Sequence, residues 1–426
     1  MFKKFSDFLF QKNDFFNHIK NASLYFLGSI LQSVLALIAQ PIYSLNLSAS
    51  EFGILGYFDA IKSLLVPIFI FGMTSVYLMR YFKQSEEDNK KLLFNITFFL
   101  CCFNTFMVFI GYAAIYLYFN SMHVNIPLNP FAWFVLLALV LDNIKSIVLI
   151  NFRIRKKALN FFIFSAVNSF LNFGLGILFV VYFKWGAEGR LAAPLVSSIL
   201  MLPICISVLR RYSTVNFNLK IFLKGMRVAF PLVLAAYAYV PIETIDRFFL
   251  ERLNNLPEFG IYNIGVTVAG YVLLAYVALG SAVEPDIFKA VAEKDHNKLI
   301  KSAAIIFVPY LLFVLAFMLF SKPIISVLTA GRYIAAAEYT NIILISVFLM
   351  GLYWFLDKIL IALEKTKLNL IINIFGGVTS IIVAYFAVEN FKFLGAAYGK
   401  VIVAFLLCII ALILVIRNIR PRRILI

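Results

Sequence analysis

Glu51-Phe52-Gly53-Ile54 returns unchanged as Glu258-Phe259-Gly260-Ile261, 207 residues later, and each copy stands just before a long apolar run. Two further landmarks repeat at nearly the same distance. Lys156, Leu159 and Asn160 match Lys365, Leu368 and Asn369, and Gly186-Ala187 matches Gly395-Ala396, both at 209. Together the matches indicate an internal duplication. Doubled sets of membrane helices are an architecture of transporters, in which a substrate path lies between the two halves.

The rest of the chain fits that reading. Hydrophobic residues make up 63% and charged residues 14%, far from the roughly 45–50% apolar and 25% charged of soluble domains. This is the composition of an integral membrane protein. Runs long enough to cross a hydrocarbon core, about 20 residues each, fall at 22–46, 53–80, 92–119, 128–151, 158–183, 190–209, 226–250, 259–287, 300–320, 335–361, 367–388 and 393–416. The expected fold is all-α: twelve transmembrane helices in two six-helix lobes, 1–212 and 213–426, joined by the polar and basic stretch 210–227. Because six is even, both copies enter from the same side and the lobes form a parallel repeat. Apart from the stretch 210–227, the longest non-apolar connections, Gln84 to Lys91, Asn120 to Asn129 and Ala290 to Lys298, are about ten residues, too short for a folded domain, so function must reside within the helices.

A net charge of +17 could suggest nucleic acid, and the positions of the basic residues decide. Counted over the predicted loops, 27 Lys and Arg lie on the side of the N-terminus and seven on the other. That asymmetry places both termini in the cytoplasm and assigns the charge to orientation and to anionic lipid. Phe2, Phe5, Phe8 and Leu9 among Lys3, Lys4 and Lys12 predict an amphipathic interfacial helix near 1–20. No small-residue cleavage site marks a signal peptide there. Cys101, Cys102, Cys205 and Cys408 fall in predicted helices as packing residues. His18, His123 and His296 are scattered without metal-ligand spacing. No cofactor or metal is expected.

Each Glu-Phe-Gly copy reads as a helix start at an outer loop, with Ser50 or Pro257 ahead of a first-turn acid. Packing accounts for the Phe. Ionisable residues inside spans cost about 2.5–3.5 kcal/mol each at a helix centre, so they face a cavity or a partner. Asp59 with Lys62 and Asp142 with Lys145, at i, i+3, share a helix face and can pair. Either pair is a neutralised bridge or a substrate contact, and Lys145, near mid-span, is the leading candidate for the latter. Asp357 and Lys358 read as an interfacial pair. Lys400 has no acid in its own helix and needs a distant partner or an anionic ligand. Glu243, Asp246 and Arg247 follow Pro241, which should kink its helix, and form a gate or a rim network. The first helix carries Ser23, Tyr25, Ser29, Gln32, Ser33, Gln40 and Ser44, too many polar groups for a lipid-facing surface. At the 207 offset, Asp59 and Lys62 correspond to Val266 and Ala269, so the charged surface belongs unequally to the first half.

Leu24-Tyr25-Phe26, Pro41-Ile42-Tyr43 and Glu51-Phe52-Gly53-Ile54 resemble the first two helices of the polysaccharide (O-antigen) flippases of the multidrug/oligosaccharidyl-lipid/polysaccharide exporter superfamily. Pro241, Asp246-Arg247 and Glu258 to Tyr262 resemble its seventh and eighth. The resemblance implies two lobes around a central, often cationic cavity that carries a polyprenyl-pyrophosphate-linked oligosaccharide to the outer leaflet of the plasma (inner) membrane. Lys62, Lys145, Lys400 and Arg247 would attract the pyrophosphate. Tyr25, Gln32, Tyr237 and Tyr239 would meet the sugars, with Asp59, Asp142, Glu243, Asp246, Asp357 and Lys358 as charge pairs or gates. The expected partners are the lipid-linked oligosaccharide and membrane lipids, then a coupling cation and polysaccharide polymerase and assembly proteins; nucleic acid is not among them.

Three rivals are weighed against this. A cation-coupled multidrug exporter of the same superfamily calls for carboxylates, and the first helix has none. A membrane glycosyltransferase, polymerase or ligase needs acid or base residues in a large outer loop, which the short connections do not supply. A channel or assembly factor would not use duplicated lobes for alternating access.

Overall fold

The structure is a computed structural model that describes the backbone of residues 2–419 and the side chains of 23–419 except 219–224 and 228. The side chains of the expected interfacial helix near 1–20 therefore lie outside the described residues. Among the described residues there are helices and no strands. They are α1 (Phe2–Asn46), α2 (Ala49–Ile70), α3 (Met73–Tyr81), α4 (Glu86–Met122), α5 (Phe131–Ile154), α6 (Ala158–Ile177) running into a π-helical turn at Leu178–Tyr182, and α7 (Gly186–Tyr212). They continue with α8 (Leu219–Glu251), α9 (Leu256–Ala292), α10 (His296–Leu319), α11 (Ser321–Leu328), α12 (Ala336–Ala362) and α13 (Thr366–Ile419).

The twelve predicted runs all appear as helix, with two differences in continuity. The run 53–80 is two helices, because Phe71 (φ 48°) and Gly72 (φ 61°) are both left-handed. A Cβ on Gly72 would sit 3.2 Å from the carbonyl of Ala229, so the break also admits a close helix approach. At the other end α13 is broken at Lys392 (φ 53°, ψ −131°) and supplies two spans, 366–391 and 393–419. The helix α8 runs on through Pro241, whose missing N–H removes one backbone bond from that turn.

By its internal contacts the chain forms two compact units, one of residues 1–43, 65–123 and 127–233, the other of residues 44–64, 124–126 and 234–426. The first has a core of apolar side chains from α3 to α8, among them Met73, Leu93, Val148, Met201 and Ala229, each 2% exposed or less. Its connector after α7 is held in place. Asn95 donates to the carbonyl of Asn216 at 2.7 Å and accepts from the N–H of Asn218 at 2.8 Å. The polar and basic stretch after α7 is thus tied to α4 by one amide.

The second unit contains both Glu-Phe-Gly copies, and they pack on each other. A Cβ on Gly260 would lie 1.6 Å from the carbonyl oxygen of Ala49 and 3.0 Å from the nitrogen of Gly53, and one on Gly53 would lie 2.8 Å from the carbonyl of Leu256. The first turns of α2 and α9 cross at backbone contact, which glycine alone permits. Both starts are capped. Glu51 accepts from the Ser48 N–H at 2.7 Å and Ser48 Oγ accepts from the Glu51 N–H at 3.3 Å, a reciprocal capping box; Asn255 Oδ1 accepts from the Glu258 N–H at 3.2 Å. Phe52 meets Tyr333 edge-on at 5.7 Å, and Phe259 meets Tyr57 at 6.4 Å. The same unit grips the end of α1. Arg332 donates to the carbonyls of Ser44 (2.9 Å) and Leu45 (2.7 Å), and Tyr333 to that of Leu47 (2.6 Å), satisfying carbonyls that the helix end leaves open.

This crossing yields a test. Gly260→Ala should destabilise the protein by about 1–3 kcal/mol through overpacking, read as a lower melting temperature in detergent. Gly270, with nothing within 4 Å of its would-be Cβ, should accept Ala without loss. Equal melting temperatures for the two variants would remove the crossing from the account.

Candidate functional site

In the first unit the charged site is built on α5 with support from α6 and α7. Lys145 is buried at 8% exposure, and its Nζ lies 2.8 Å from Asp142 Oδ1, one helical turn back. It also donates to Asn168 Oδ1 at 3.0 Å. Ser198 Oγ lies 3.3 Å from Asp142 Oδ1 and donates at 2.6 Å to the carbonyl of Pro194. Next to the pair, Asn143 donates to the carbonyl of Phe69 at 2.8 Å. Two acceptors thus hold an ammonium that has three donors. Losing one member of such a pair strands the other charge, at a typical cost of about 3–5 kcal/mol. The i, i+3 spacing forecast this pair, but not Asn168 and Ser198, whose neutral side chains carry no charge signal.

On α2, Asp59 is exposed and Lys62 half-buried, and the Asp59 carbonyl accepts from Ser63 Oγ at 2.9 Å. Polar residues of α1 have mixed settings. Gln32 is exposed, whereas the Tyr25 ring packs edge-on against Phe161 at 5.2 Å with its hydroxyl buried and without a partner. Gln40 Nε2 and the Tyr43 hydroxyl are likewise buried without partners, and the Arg190 guanidinium lies 4.9 Å over the Tyr43 ring and 5.6 Å from that of Phe173. Arg190 was not expected here, because its place near a helix start reads as an ordinary loop cation.

The second unit supplies the distant partner that Lys400 requires. Its Nζ is 3.0 Å from Asp246 Oδ1 and donates to the carbonyl of Glu243 at 2.9 Å. The Asp246 contact is an ion pair without hydrogen-bond alignment, since Oδ1 accepts no aligned bond. The other oxygen, Oδ2, accepts from the Tyr262 hydroxyl at 2.5 Å. Asp246 is thus turned inward at 3% exposure while Glu243 is exposed, so the cluster after Pro241 is split between faces. Arg247 reaches the carbonyl of Gly56 only at 3.4 Å, and its Nε is buried without a partner. Tyr237 donates to the carbonyl of Leu64 at 3.0 Å, and Tyr239 accepts from Trp354 Nε1 at 3.3 Å.

Asp357 and Lys358 do not pair. Neighbouring residues point about 100° apart around a helix and do not face each other. Lys358 instead meets Glu284 of α9 at 2.5 Å, and Asp357 Oδ1 is buried with no hydrogen-bond partner. Among the described residues no group of His, Cys, Asp and Glu is placed to hold a metal.

The sequence profile of the polysaccharide biosynthesis protein family matches residues 18–291, and the MatE profile matches residues 231–386. Among curated proteins no sequence matches. Solved structures share the fold across almost the whole chain. A multidrug resistance MATE family transporter of the MOP superfamily, in an inward-facing conformation, superposes with a TM-score of 0.74 at 15% identity, covering 93% of this chain and 98% of its own. The lipid II flippase MurJ, in an inward closed conformation, also gives 0.74, at 14% identity over 93% and 89%. A MOP superfamily transporter from Pyrococcus furiosus, described as having a binding pocket of reversed polarity, gives 0.63 at 15% identity over 95% and 96%. With its multi-pass helices, its doubled helix starts and a profile match over more than half its length, the chain belongs to the polysaccharide biosynthesis protein family and has the fold of the MOP superfamily transporters.

Proposed function

We propose that the protein flips a polyprenyl-pyrophosphate-linked oligosaccharide from the cytoplasmic to the outer leaflet of the plasma (inner) membrane, by alternating access between lobes 1–212 and 213–426. The observation that carries this reading is Lys145, a buried ammonium held by Asp142 and Asn168 with one donor left for an anionic group. Family membership supports a polysaccharide precursor as the substrate class. The absence of any carboxylate from residues 23–46 of α1 weighs against a cationic cargo. The prenyl tail stays in lipid while Lys145 and other cations receive the pyrophosphate, and aromatic side chains such as Tyr237 and Tyr239 meet the sugars. Polymerase and assembly proteins then act on the exported glycan.

A second reading, export coupled to a cation, draws on the MatE match and on the unpartnered Asp357 oxygen. It makes Asp357 the coupling group.

Lys145→Ala should abolish export while folded protein persists, measured as glycan at the cell surface against protein in the membrane. The Asp142→Ala/Lys145→Ala double variant, which leaves no stranded charge, should be equally inactive. Full export by either variant would defeat the assignment. An inside-negative potential should favour outward movement of the anionic head, by about 2.3 kcal/mol per charge per 100 mV, and Asp357→Asn should retain that response in proteoliposomes. Indifference to potential combined with loss of transport in Asp357→Asn would favour the coupled exporter.

A further inference from the structure

One corner of the duplicated scaffold is built alike in both units and filled differently. In the first unit the loop between α5 and α6 turns through Lys156 at φ 56°. Arg155, Lys156 and Lys157 donate their N–H groups to the carbonyls of Asn151, Arg153 and Phe152. In the second unit the loop between α12 and α13 turns through Glu364 at φ 60°. Leu363, Glu364 and Lys365 donate to Ile359, Ile361 and Leu360. The two patterns coincide at a spacing of 208, one less than the sequence match, so Leu363 stands where Arg155 stands. The adjacent helix starts also repeat. Ser85 caps α4 by accepting from the Asp88 N–H, and Asp295 caps α10 by accepting from the Lys298 N–H. His296 therefore takes the position of Glu86.

In the first unit this corner is closed by a guanidinium. Arg155 lies 4.4 Å from the Tyr212 ring centre and 5.6 Å from that of Tyr81, with Nη1 3.2 Å from Glu86 Oε1 and Nε donating to Asn151 Oδ1 at 3.1 Å. In the second unit, with Leu363 for the arginine and His296 for the acid, a cavity of about 750 Å³ is present. Lys294, His296, Lys365 and Arg417 line it together with apolar groups such as Leu299 and Leu363, and among the described residues no carboxylate lines it. Of the three acids adjacent in sequence to lining residues, two are engaged by Lys298, whose Nζ is 2.6 Å from Glu293 and 3.4 Å from Asp295, and the third, Glu364, is exposed at the turn and is not among the lining residues. The hydrogen bond of Lys298 to Glu293, and its N–H on Asp295, hold both carboxyls below the usual carboxylate range.

We propose that this cavity binds the phosphate-bearing headgroup of an anionic membrane amphiphile, either a phospholipid or a polyprenyl pyrophosphate. Lys, Arg and His donors lining one cavity suit phosphate oxygens, and its apolar lining suits the first carbons of a lipid tail. The inference does not rest on the transport reading, since the site could regulate or anchor any membrane protein.

The test uses the full-length protein in phosphatidylcholine nanodiscs titrated with inorganic pyrophosphate. Wild type should bind saturably. The Lys294→Gln/Lys365→Gln/Arg417→Gln variant should bind about tenfold more weakly or worse, which is a shift of about 1.4 kcal/mol. The His296→Glu/Leu363→Arg variant leaves the formal charge unchanged and brings the arginine and glutamate of the first unit to the cavity, and it should lose this binding too. Lys298→Gln, a charge removed outside the cavity, should bind as wild type. Competition by phosphatidylglycerol in the disc identifies a phospholipid occupant, and competition by undecaprenyl pyrophosphate alone identifies the polyprenyl one. Absence of saturable binding, wild-type binding by either multiple variant, an equal loss in Lys298→Gln, or failure of both amphiphiles to compete would overturn the proposal.

Discussion

A charge inside an apolar bundle must be matched by a partner, and the interior of both units is organised around that requirement. Lys145 is matched by Asp142 and Asn168, Lys400 by Asp246 and the Glu243 carbonyl, and Lys358 by Glu284. The three solutions differ in what they leave for a ligand. Lys400 faces a carboxylate already engaged by the Tyr262 hydroxyl, a closed arrangement suited to fixing helices. Lys145 has an amide and a carboxylate as acceptors, and a pair of this kind can exchange one contact for an anionic oxygen without baring either charge.

Duplication supplied the scaffold on which these differences arose. The two Glu-Phe-Gly starts have become each other's packing partner, with capping at both helix starts and glycines where the backbones meet. The basic loops kept their hydrogen-bond pattern while their side chains diverged, Arg155 to Leu363 and Glu86 to His296. One copy closes the corner with a stacked guanidinium and the other leaves a basic cavity. Conserved backbone geometry with altered side chains is how one repeat can be structural and its twin a binding surface.

Much of this was legible in the sequence because a membrane imposes a strong, local code. Length and hydropathy located every span, and i, i+3 spacing identified the Lys145–Asp142 pair. What could not be read depends on distance or on backbone conformation. Asp246 lies far from Lys400 in sequence and Glu284 far from Lys358, so only folding reveals those partners. Hydropathy passes straight over Phe71 and Gly72, because an apolar residue at φ 48° looks like any other apolar residue. Adjacency in sequence suggested an Asp357–Lys358 pair that helix geometry forbids. Neutral groups such as Asn168, and the amide of Asn95 that ties down the connector, give no sequence signal at all.

The central claim is that an anionic lipid-linked glycan crosses the membrane on this protein. The most direct measurement reconstitutes the purified protein into vesicles loaded with a fluorescent polyprenyl-pyrophosphate oligosaccharide and follows quenching by a membrane-impermeant reductant. The account predicts that the fraction protected in the inner leaflet disappears in vesicles containing the protein and persists in protein-free vesicles. A protected fraction that persists in both, in vesicles where the same protein moves a cationic dye, would contradict it.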